Sequence, residues 1–571
     1  MKTRNLLTFG LAFLSATSAM AANRAPSYAS QIVNTGVSLN QQISSSSLNS
    51  ASSAANGQFK ITKSGRYFLS TDIAAAPAAS QIACIYIDAS DVVLDLGGKT
   101  LTLSSTTYQV NSAAIEIAAN KSDITIMNGT LNGKASTTSA YTRTGIKVNG
   151  GASNVLLDNV HVVNFAYDGI AFDATATAIS DVIINNVRTY NIGAGLSLGA
   201  TYASKSYARG LSLHGASATA INDVTIIDSE FNKTTTTGDV RTYGIFASYC
   251  NNLTLNNVKV SNTTGTIGAV RGILLANSTG VHADGVKVLR ATSGSSGAPI
   301  VAGIDLATSS GCSFVNCSVN NGTSTHFTTT VYGFRLASTS NSNSFICCEA
   351  RNNVGKGTSI GISLDAAHYN TIDKCAITGN GGTTQNVYGI RSGLHTNGGT
   401  TDYAATCSGT SIKNCKINNN VASSGNTYGI SLSGDTGALI QECEIKSNIS
   451  SGTCYGVALH HTSPRNVVEY NKIYSNKGTI GQYGFKDFAD DSTTLLRGNV
   501  AFGHGATFAG GTSAITDSTS GMNYFLKFTE QSGQMNIQFL IKEGDIANMN
   551  AFEVGSPTWF NFSILHNSIA G

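Results

Sequence analysis

Short stretches of alternating apolar and polar residues recur along most of this chain. From residue 145 onward the commonest unit is a glycine, an aliphatic residue or phenylalanine, any residue, and usually a second aliphatic residue. Copies start at Gly145, Gly169, Gly210, Gly272, Gly303, Gly333, Gly361, Gly429 and Gly456, with looser copies at Gly244, Gly389 and Gly484. A second alternating stretch, such as residues 252 to 262, follows each copy and ends at Asn or Gly. Each unit therefore predicts short strands separated by a turn.

The spacing of these units predicts how the strands are arranged. Copies usually lie about 28 to 31 residues apart, and self-similarity at a fixed period of this size is the signature of a solenoid. A unit this short cannot bury its apolar residues alone, so neighbouring units must stack. Helical repeats would need a 3.6-residue period over ten or more positions, which the sequence lacks. We therefore predict an all-β, right-handed parallel β-helix of about 12 to 14 coils with a small C-terminal cap.

The ends of the chain differ from the repeats. Lys2 and Arg4 precede a short apolar stretch, and Ala19-Met20-Ala21 fits the small-residue pattern of a signal-peptide cleavage site. We predict a signal peptide at 1–21, a low-complexity lead and N-terminal cap at 22–60, the β-helix at 61–510, and a C-terminal cap or docking module at 511–571. No later segment offers the roughly 18 apolar residues of a transmembrane helix. The protein is expected to be exported and to be extracellular, periplasmic or at the cell surface.

Composition narrows the class of partner. Charged residues make up only 12% of the chain, and the formal net charge is +3, which falls to about +1 without Lys2 and Arg4. A surface this close to neutral argues against electrostatic binding of nucleic acid. The 11 cysteines are an odd number, so at least one stays unpaired or bonds to another molecule. The oligomeric state is left open by the sequence.

Five cysteines fall in one column when the second stretches are aligned. The aligned positions are Cys317, Cys348, Cys375, Cys415 and Cys443, preceded by Asn257 and followed by Asn471. This arrangement resembles the asparagine ladder of β-helix turns, and cysteine keeps such a site small and buried. We interpret the column as a structural ladder, because a metal site needs ligands that converge on one point. Disulfides between cysteines of neighbouring coils remain an alternative, since the spacing of stacked strands is within the Cα–Cα range of a disulfide.

The middle residue of each glycine unit supplies the candidate site. It is expected to face solvent, because its neighbours face the core. On neighbouring coils these positions are occupied by Asp305, Arg335, Ser363 and Arg391, and Asp365 lies on the same face, two residues past Ser363. Asp305, Arg335, Asp365 and Arg391 are therefore expected to cluster on four consecutive coils. One interpretation is a groove for a sugar polymer, with arginines meeting carboxylates or hydroxyls. The other is an ion-pair ladder that keeps an exposed sheet soluble.

Two further patterns bear on this face. Asp305 and Asp365 should lie roughly 11 to 12 Å apart between Cα atoms, whereas paired glycosidase carboxylates are about 5 to 9.5 Å apart. A tyrosine directly precedes the repeat glycine in several coils: Tyr243, Tyr332, Tyr388, Tyr428, Tyr455 and Tyr483. Strand parity predicts that these rings point inward, as an aromatic stack at a corner of the core.

The first coils carry a family resemblance. Gly65-Arg66-Tyr67-Phe68-Leu69, followed by residues 85 to 98, resembles the opening of right-handed β-helix proteins of the pectate-lyase-like superfamily. The resemblance covers about residues 60 to 510 and implies the fold. It does not imply one activity, because that superfamily includes lyases, glycosidases, epimerases, phage tailspikes and adhesins. Arginine acts as a base in some of these enzymes, so the resemblance gives Arg335 and Arg391 a mechanistic precedent.

Two functions remain from the sequence. The favoured one is an exported β-helix, without assigned catalysis, that displays or binds a polysaccharide or surface glycan. The alternative is a polysaccharide-active enzyme, a lyase or epimerase rather than a glycoside hydrolase. No phosphate-binding glycine loop, zinc spacing or nucleophile elbow indicates a cofactor or metal. Calcium is compatible with this class of protein, but no pattern indicates it.

Overall fold

The structure, a computed structural model, describes most of the repeat array and parts of both ends. The described residues are 40–43, 57–75, 82–103, 113–133, 144–193, 207–237, 240–294, 300–337, 339–393, 407–460, 463, 465–488, 494–502, 506–509, 524–531, 534–541 and 558–565. The predicted signal peptide at 1–21 lies outside these ranges, as do large parts of 22–60 and 511–571. Within these ranges no helix is long and apolar enough to cross a membrane.

The glycine units form one parallel sheet of 16 strands, which we call sheet 1. Its strands, in stacking order, are Gly57–Ile61, Ala83–Ile87, Ala113–Ile117, Thr144–Asn149, Asp168–Asp173, Tyr207–His214, Arg241–Ser248, Val270–Ala276, Ile300–Ala307, Thr330–Ala337, Ser359–Asp365, Val387–Ser392, Thr427–Ser433, Thr453–His460, Gly481–Asp487 and Ala506–Ala509. Equivalent positions of successive units pair directly, as Ile304 pairs with Phe334 and Leu306 with Leu336. The repeat period therefore sets the register of the sheet.

The second stretch of each unit supplies two further parallel stacks. Sheet 2 contains Asn40–Ile43, Gly65–Leu69, Val92–Asp95, Ser122–Asn132, Ser153–Val163, Ile179–Asn185, Ile221–Ile227, Cys250–Asn256, His282–Asp284, Ser313–Val315, Ser344–Ile346, Thr371–Asp373, Ser411–Lys413, Leu439–Gln441, Val467–Glu469 and Leu495–Arg497. Sheet 3 contains Ile73–Ala75, Thr100–Leu103, Arg188–Ile192, Glu230–Thr234, Lys259–Ser261, Lys287–Leu289, Ser318–Asn320, Glu349–Arg351, Ala376–Thr378, Lys416–Asn418, Glu444–Lys446, Lys472–Tyr474 and Val500–Phe502. The long strands Ser122–Asn132 and Ser153–Val163 run through both stacks and join them.

Short strands complete the coil. Sheet 4 consists of two-residue strands: Thr264–Gly265, Thr292–Ser293, Thr323–Ser324, Val354–Gly355, Gly381–Gly382, Val421–Ala422, Ile449–Ser450 and Lys477–Gly478. A separate pair is Cys407–Ser408 with Asp435–Thr436. All of these strands are parallel to their neighbours one coil away. The stacked parallel sheets confirm the predicted parallel β-helix.

Left-handed residues occupy the corner between sheets 2 and 3 and the corner between sheets 3 and 4, and a buried ladder lines the inside of each of these two corners. Asn257, for example, has φ 51° at the corner between sheets 2 and 3. One buried ladder, between sheets 3 and 4, runs through Asn353, Asn380, Asn420, Asn448 and Asn476, with amide-to-amide distances of 2.9 to 3.0 Å. These amides satisfy corner backbone groups that would otherwise be buried without partners.

Each repeat glycine points into the β-helix. A Cβ atom on Gly303 would lie 1.9 Å from Cγ1 of Val319, which faces the core from sheet 3. The next residue, Ile304, also faces the core and is fully buried. Because two consecutive residues point inward, the alternation shifts by one at the glycine, and the residue before it points outward. This close approach of backbone to core explains why the unit begins with glycine.

The array ends in antiparallel strands. Tyr524–Gln531 pairs in parallel with Val500–Phe502 of sheet 3, and then pairs antiparallel with Gln534–Ile541. Thr558–Leu565 in turn pairs antiparallel with Gln534–Ile541. The parallel stack is therefore followed by a three-stranded antiparallel meander at its C-terminal end.

Candidate functional site

The outer face of sheet 1 carries two columns of side chains. The first outer column is the residue before the repeat glycine: Thr144, Asp168, Arg209, Tyr243, Arg271, Ala302, Tyr332, Ile360, Tyr388, Tyr428, Tyr455 and Tyr483. The second outer column, two residues after the glycine, includes Asp305, Arg335, Ser363 and Arg391. These columns lie side by side, so their side chains contact one another across the sheet.

Arginines and aspartates alternate on this face and form a continuous ion-pair ladder of Arg271, Asp305, Arg335, Asp365 and Arg391. Asp305 Oδ2 lies 2.5 Å from Arg271 Nε and 3.5 Å from Arg335 Nη1. Asp365 Oδ2 lies 3.3 Å from Arg335 Nε, and its Oδ1 lies 2.9 Å from Arg391 Nη2. The structure thus brings together all four residues predicted for this site.

The ladder is less exposed than its position on an outer face predicted. The side chain of Asp305 is 1% exposed and that of Asp365 is 7% exposed, whereas Arg271 and Arg335 are 14% and 19% exposed. The expectation that Asp305 and Asp365 face solvent is therefore wrong. Neighbouring guanidinium groups and tyrosine rings are long enough to lie across these short side chains, so the aspartates form a lower layer.

Burial and the neighbouring carboxylates change the pKa of the arginines in opposite directions. Burial alone would lower the pKa of Arg335, but Asp305 and Asp365 outweigh it and the pKa is raised. The same balance, with Asp365 as the main partner, raises the pKa of Arg391. Both guanidinium groups are therefore held more firmly in the charged form than a free arginine is.

The tyrosines form an aromatic layer beside the ladder. The rings of Tyr388, Tyr428, Tyr455 and Tyr483 stack at 4.8 to 5.4 Å between centroids. Arg335 lies 5.3 Å from the Tyr332 ring and Arg391 lies 5.7 Å from the Tyr388 ring. The tyrosines pack in a cluster separate from the main core. Four of the six predicted tyrosines stack in this way, whereas Ile360 separates Tyr332 from Tyr388. The prediction that the rings point inward is wrong, because the shift in alternation at the glycine turns them outward.

Sequence reasoning missed two arginines of the first outer column. Arg271 occupies the position that tyrosine holds in other coils and begins the ion-pair ladder. Arg209 makes a two-point ion pair with Asp168, at 2.6 and 2.9 Å, and lies 4.1 Å from the Tyr207 ring. Both could have been found by aligning the residue before each glycine, since that column contains tyrosine and arginine in neighbouring coils.

The cysteine column lies at the inner corner between sheets 2 and 3. Cys317, Cys348, Cys375, Cys415 and Cys443 are buried free thiols there, followed by Asn471. Asn471 donates from Nδ2 to the Ile440 carbonyl at 3.0 Å, and Cys348 Sγ contacts the corresponding Phe314 carbonyl at 3.4 Å. The thiols therefore occupy the hydrogen-bonding positions of ladder asparagines.

Asn257 does not belong to that column. The strand register pairs Lys259 with Lys287 and Lys287 with Ser318, which aligns Val258, and not Asn257, with Cys317. Asn257 is the exposed left-handed residue one position earlier, and its side chain donates to Asp228 Oδ1 at 2.6 Å. The placement of Asn257 in the cysteine column was wrong because the left-handed corner residue points outward and only the residue after it points inward.

No group of three or more His, Cys, Asp or Glu side chains within the described ranges is placed to hold a metal ion. Within the ion-pair ladder, Arg271 and Arg335 are the more accessible groups. What this face offers chemically is a set of fixed hydrogen-bond donors beside stacked aromatic rings.

Comparisons with known proteins give only distant similarities. No protein-family model matches the chain, and no curated protein does. Among solved structures, the periplasmic alginate epimerase AlgG is 13% identical with a TM-score of 0.38, over 61% of this chain and 76% of that one. The A-module of the Azotobacter vinelandii mannuronan C-5 epimerase AlgE6 is 12% identical with a TM-score of 0.29, over 84% of this chain and 100% of that one. PfbA, a surface adhesin of Streptococcus pneumoniae, is 11% identical with a TM-score of 0.32, over 82% and 89%. Similarities this low carry no information about function.

Proposed function

We propose that this is an exported β-helix protein that binds an acidic polysaccharide along the outer face of sheet 1. The observation that carries the proposal is the ion-pair ladder, in which the two more exposed members, Arg271 and Arg335, are both cationic, whereas both aspartates are buried together with Arg391. A ligand approaching this face meets guanidinium groups before it meets carboxylates. Three arginines against two aspartates also leave one positive charge in excess.

The spacing of the face suits an extended polymer. The ladder continues over successive coils, and stacked strands repeat at about 4.8 Å along the axis. Guanidinium groups bind carboxylates in a two-point geometry. The partly exposed ring of Tyr483, at the end of the tyrosine stack, provides apolar surface for the C–H face of a sugar. A chain of uronate sugars presents both kinds of group at regular intervals.

Binding is favoured over catalysis by an arginine base. A base must lose its proton before it can accept one, and neighbouring aspartates raise the pKa of both Arg335 and Arg391. The ion pairs therefore oppose the role that the family resemblance gives to these residues. Export rests on the N-terminal pattern, in which Lys2 and Arg4 precede an apolar stretch and a small-residue cleavage site.

The test is binding to a panel of acidic and neutral polysaccharides, measured by calorimetry at low and high salt. Acidic polymers should bind more tightly than neutral ones, and salt should weaken the binding. The double variant Arg271→Gln with Arg335→Gln should lose affinity by about tenfold or more, because charge-assisted hydrogen bonds are lost.

The matched control removes the same charge elsewhere. Lys416→Gln with Lys472→Gln changes two exposed lysines of sheet 3 and should leave affinity unchanged. Arg335→Lys retains the positive charge but loses the planar guanidinium group that can bind a carboxylate at two points. Its affinity therefore separates the contribution of two-point binding from that of net charge. Melting curves establish that each variant is folded. Equal binding by both double variants would refute the proposal, and shortened or unsaturated products in mass spectra would identify an enzyme instead.

A further inference from the structure

A half-open cavity of about 280 Å³ lies on sheet 3, on a different flank from the ion-pair ladder. It is lined by Asn232, Lys259, Ser261, Asn262, Leu289 and Arg290, among others. Its volume is just below the range of roughly 300 to 1,000 Å³ that is typical of small-molecule sites. None of these residues belongs to the outer face of sheet 1.

Three stacked strands form the floor of this cavity. Asn232, Ser261 and Leu289 occupy the same position in consecutive coils of sheet 3. Val260 faces the core, so Ser261 on the adjacent position faces outward into the cavity. Asn262 and Arg290 follow at the corner, where both have a left-handed backbone, with φ 54° and 59°. The wall therefore combines two corner side chains with the ends of three strands.

Ser261 is an unsatisfied group in the floor. The residue is only 4% exposed, and its buried hydroxyl has no hydrogen-bond partner among the described residues. A buried hydroxyl without a partner is destabilising unless something else supplies one. Nearby, Asn262 Nδ2 donates to Asn232 Oδ1 at 2.9 Å, which fixes both amides at the edge of the cavity.

The cationic groups differ in how they are held. Lys259 pairs with Glu230 at 2.8 Å, whereas exposed Arg290 makes no salt bridge among the described residues. Arg290 follows Asn262 in a corner column, and asparagine adopts the left-handed conformation more easily than arginine does. This corner position places the long cationic side chain of Arg290 beside the cavity.

We propose that this cavity binds a single acidic sugar unit, such as a hexuronate. Arg290 supplies a two-point site for the carboxylate, and Ser261 with the amides of Asn232 and Asn262 supplies partners for ring hydroxyls. Leu289 provides an apolar surface for a C–H face. This site is separate from the outer face of sheet 1 and does not depend on the function proposed there.

The test uses the full chain and glucuronate as the probe, with glucose as the neutral analogue, in calorimetric or NMR titrations. Glucuronate should bind saturably and at least tenfold more tightly than glucose. Arg290→Gln should weaken glucuronate binding about tenfold. Ser261→Ala should weaken it several-fold and leave the melting temperature unchanged or higher, because the hydroxyl has no partner in the folded protein.

The control for Arg290→Gln is Lys374→Gln. Lys374 is also an exposed cation with a left-handed backbone, φ 54°, but it lies at another corner and outside the cavity. This variant should bind glucuronate like the unmodified protein. The proposal is overturned if glucuronate does not bind saturably, or if Ser261→Ala and Arg290→Gln both bind normally. Loss of binding only in the Arg271→Gln with Arg335→Gln variant would also overturn it and would place the sugar on sheet 1.

Discussion

Single residues show how one side chain can take over the hydrogen bonds of another. At the corner between sheets 2 and 3, the backbone N–H of Cys443 donates to Asn471 Oδ1 at 2.9 Å, and the N–H of Cys348 donates to Cys375 Sγ at 3.4 Å. The sulfur atom thus accepts from the preceding coil as the asparagine oxygen does. Because a thiol both donates and accepts weakly, the column can change from cysteine to asparagine without breaking the ladder.

The thiols of this column are protected from reaction. A hydrogen bond to Cys348 and burial raise the pKa of Cys317. Burial also raises the pKa of Cys312, a buried thiol outside the column, to about 11. The reactive form of cysteine is the thiolate, so only exposed Cys347 should react in the folded protein. A thiol-specific reagent should titrate one thiol rapidly under native conditions and all 11 in denaturant. Cys347→Ser should abolish the native reaction, and fewer than 11 thiols in denaturant would reveal disulfides.

Asp435 is a buried carboxyl that should make stability depend on pH. It accepts a hydrogen bond from Ser392 Oγ at 2.5 Å, and burial raises its pKa. A raised pKa in the folded state means that the associated stability is fully present below the unfolded pKa, about 3.9. That stability is lost as the pH rises through the folded pKa.

Asp435→Asn should therefore raise the free energy of unfolding at pH 7.5 by on the order of 1 kcal/mol and have a smaller effect at pH 4. Chemical denaturation at the two pH values measures the difference. Asp91→Asn, at an exposed left-handed corner, is the control and should show little effect at either pH. A destabilised Asp435→Asn protein at pH 7.5 would contradict this account.

At the scale of strands, alternation and period were enough to predict the elements and their stacking. The Gly-Ile-x-Leu units became the strands of sheet 1, and Asp305, Arg335, Asp365 and Arg391 became neighbours because register follows the repeat. Two details of side-chain direction were predicted wrongly, because they depend on backbone geometry that the residue pattern does not reveal. The repeat glycine shifts the alternation of inward and outward side chains by one residue, so the tyrosines before it point outward. At the corner between sheets 2 and 3 the left-handed residue points outward, so the inward column begins one residue later than Asn257.

The buried aspartates of the ion-pair ladder should be important for the stability of sheet 1. Asp305→Asn leaves Arg271 and Arg335 without their shared counter-charge in a largely buried layer. Removing one partner of a buried ion pair costs about 3 to 5 kcal/mol, and chemical denaturation measures that loss. Glu349→Gln, which breaks an exposed pair with Arg351 at 3.8 Å, should cost less than about 1 kcal/mol. Equal losses in the two variants would show that the ladder is solvated rather than buried.

At the scale of the whole molecule, the solenoid explains why the fold was more predictable than the site. Each coil packs mainly on its two neighbours, so a local repeat determines the global architecture. The exposure of the outer face of sheet 1, by contrast, depends on how long side chains from several coils lie across one another. The ladder was therefore predictable as a set of neighbours, whereas its burial and the cavity on sheet 3 were not.

The C-terminal strands should keep the β-helix from associating through its last coil. A parallel stack leaves unpaired backbone groups at its end, and such an edge pairs readily with another chain. Here Tyr524–Gln531 covers the end of sheet 3, and antiparallel pairing to Gln534–Ile541 turns the chain away from further coils. Deleting residues 511–571 should therefore produce larger species than the full chain in size-exclusion chromatography with light scattering. Deleting only residues 566–571 preserves all three strands and should not. If both deletions behave like the full chain, the end of the stack is protected by something other than these strands.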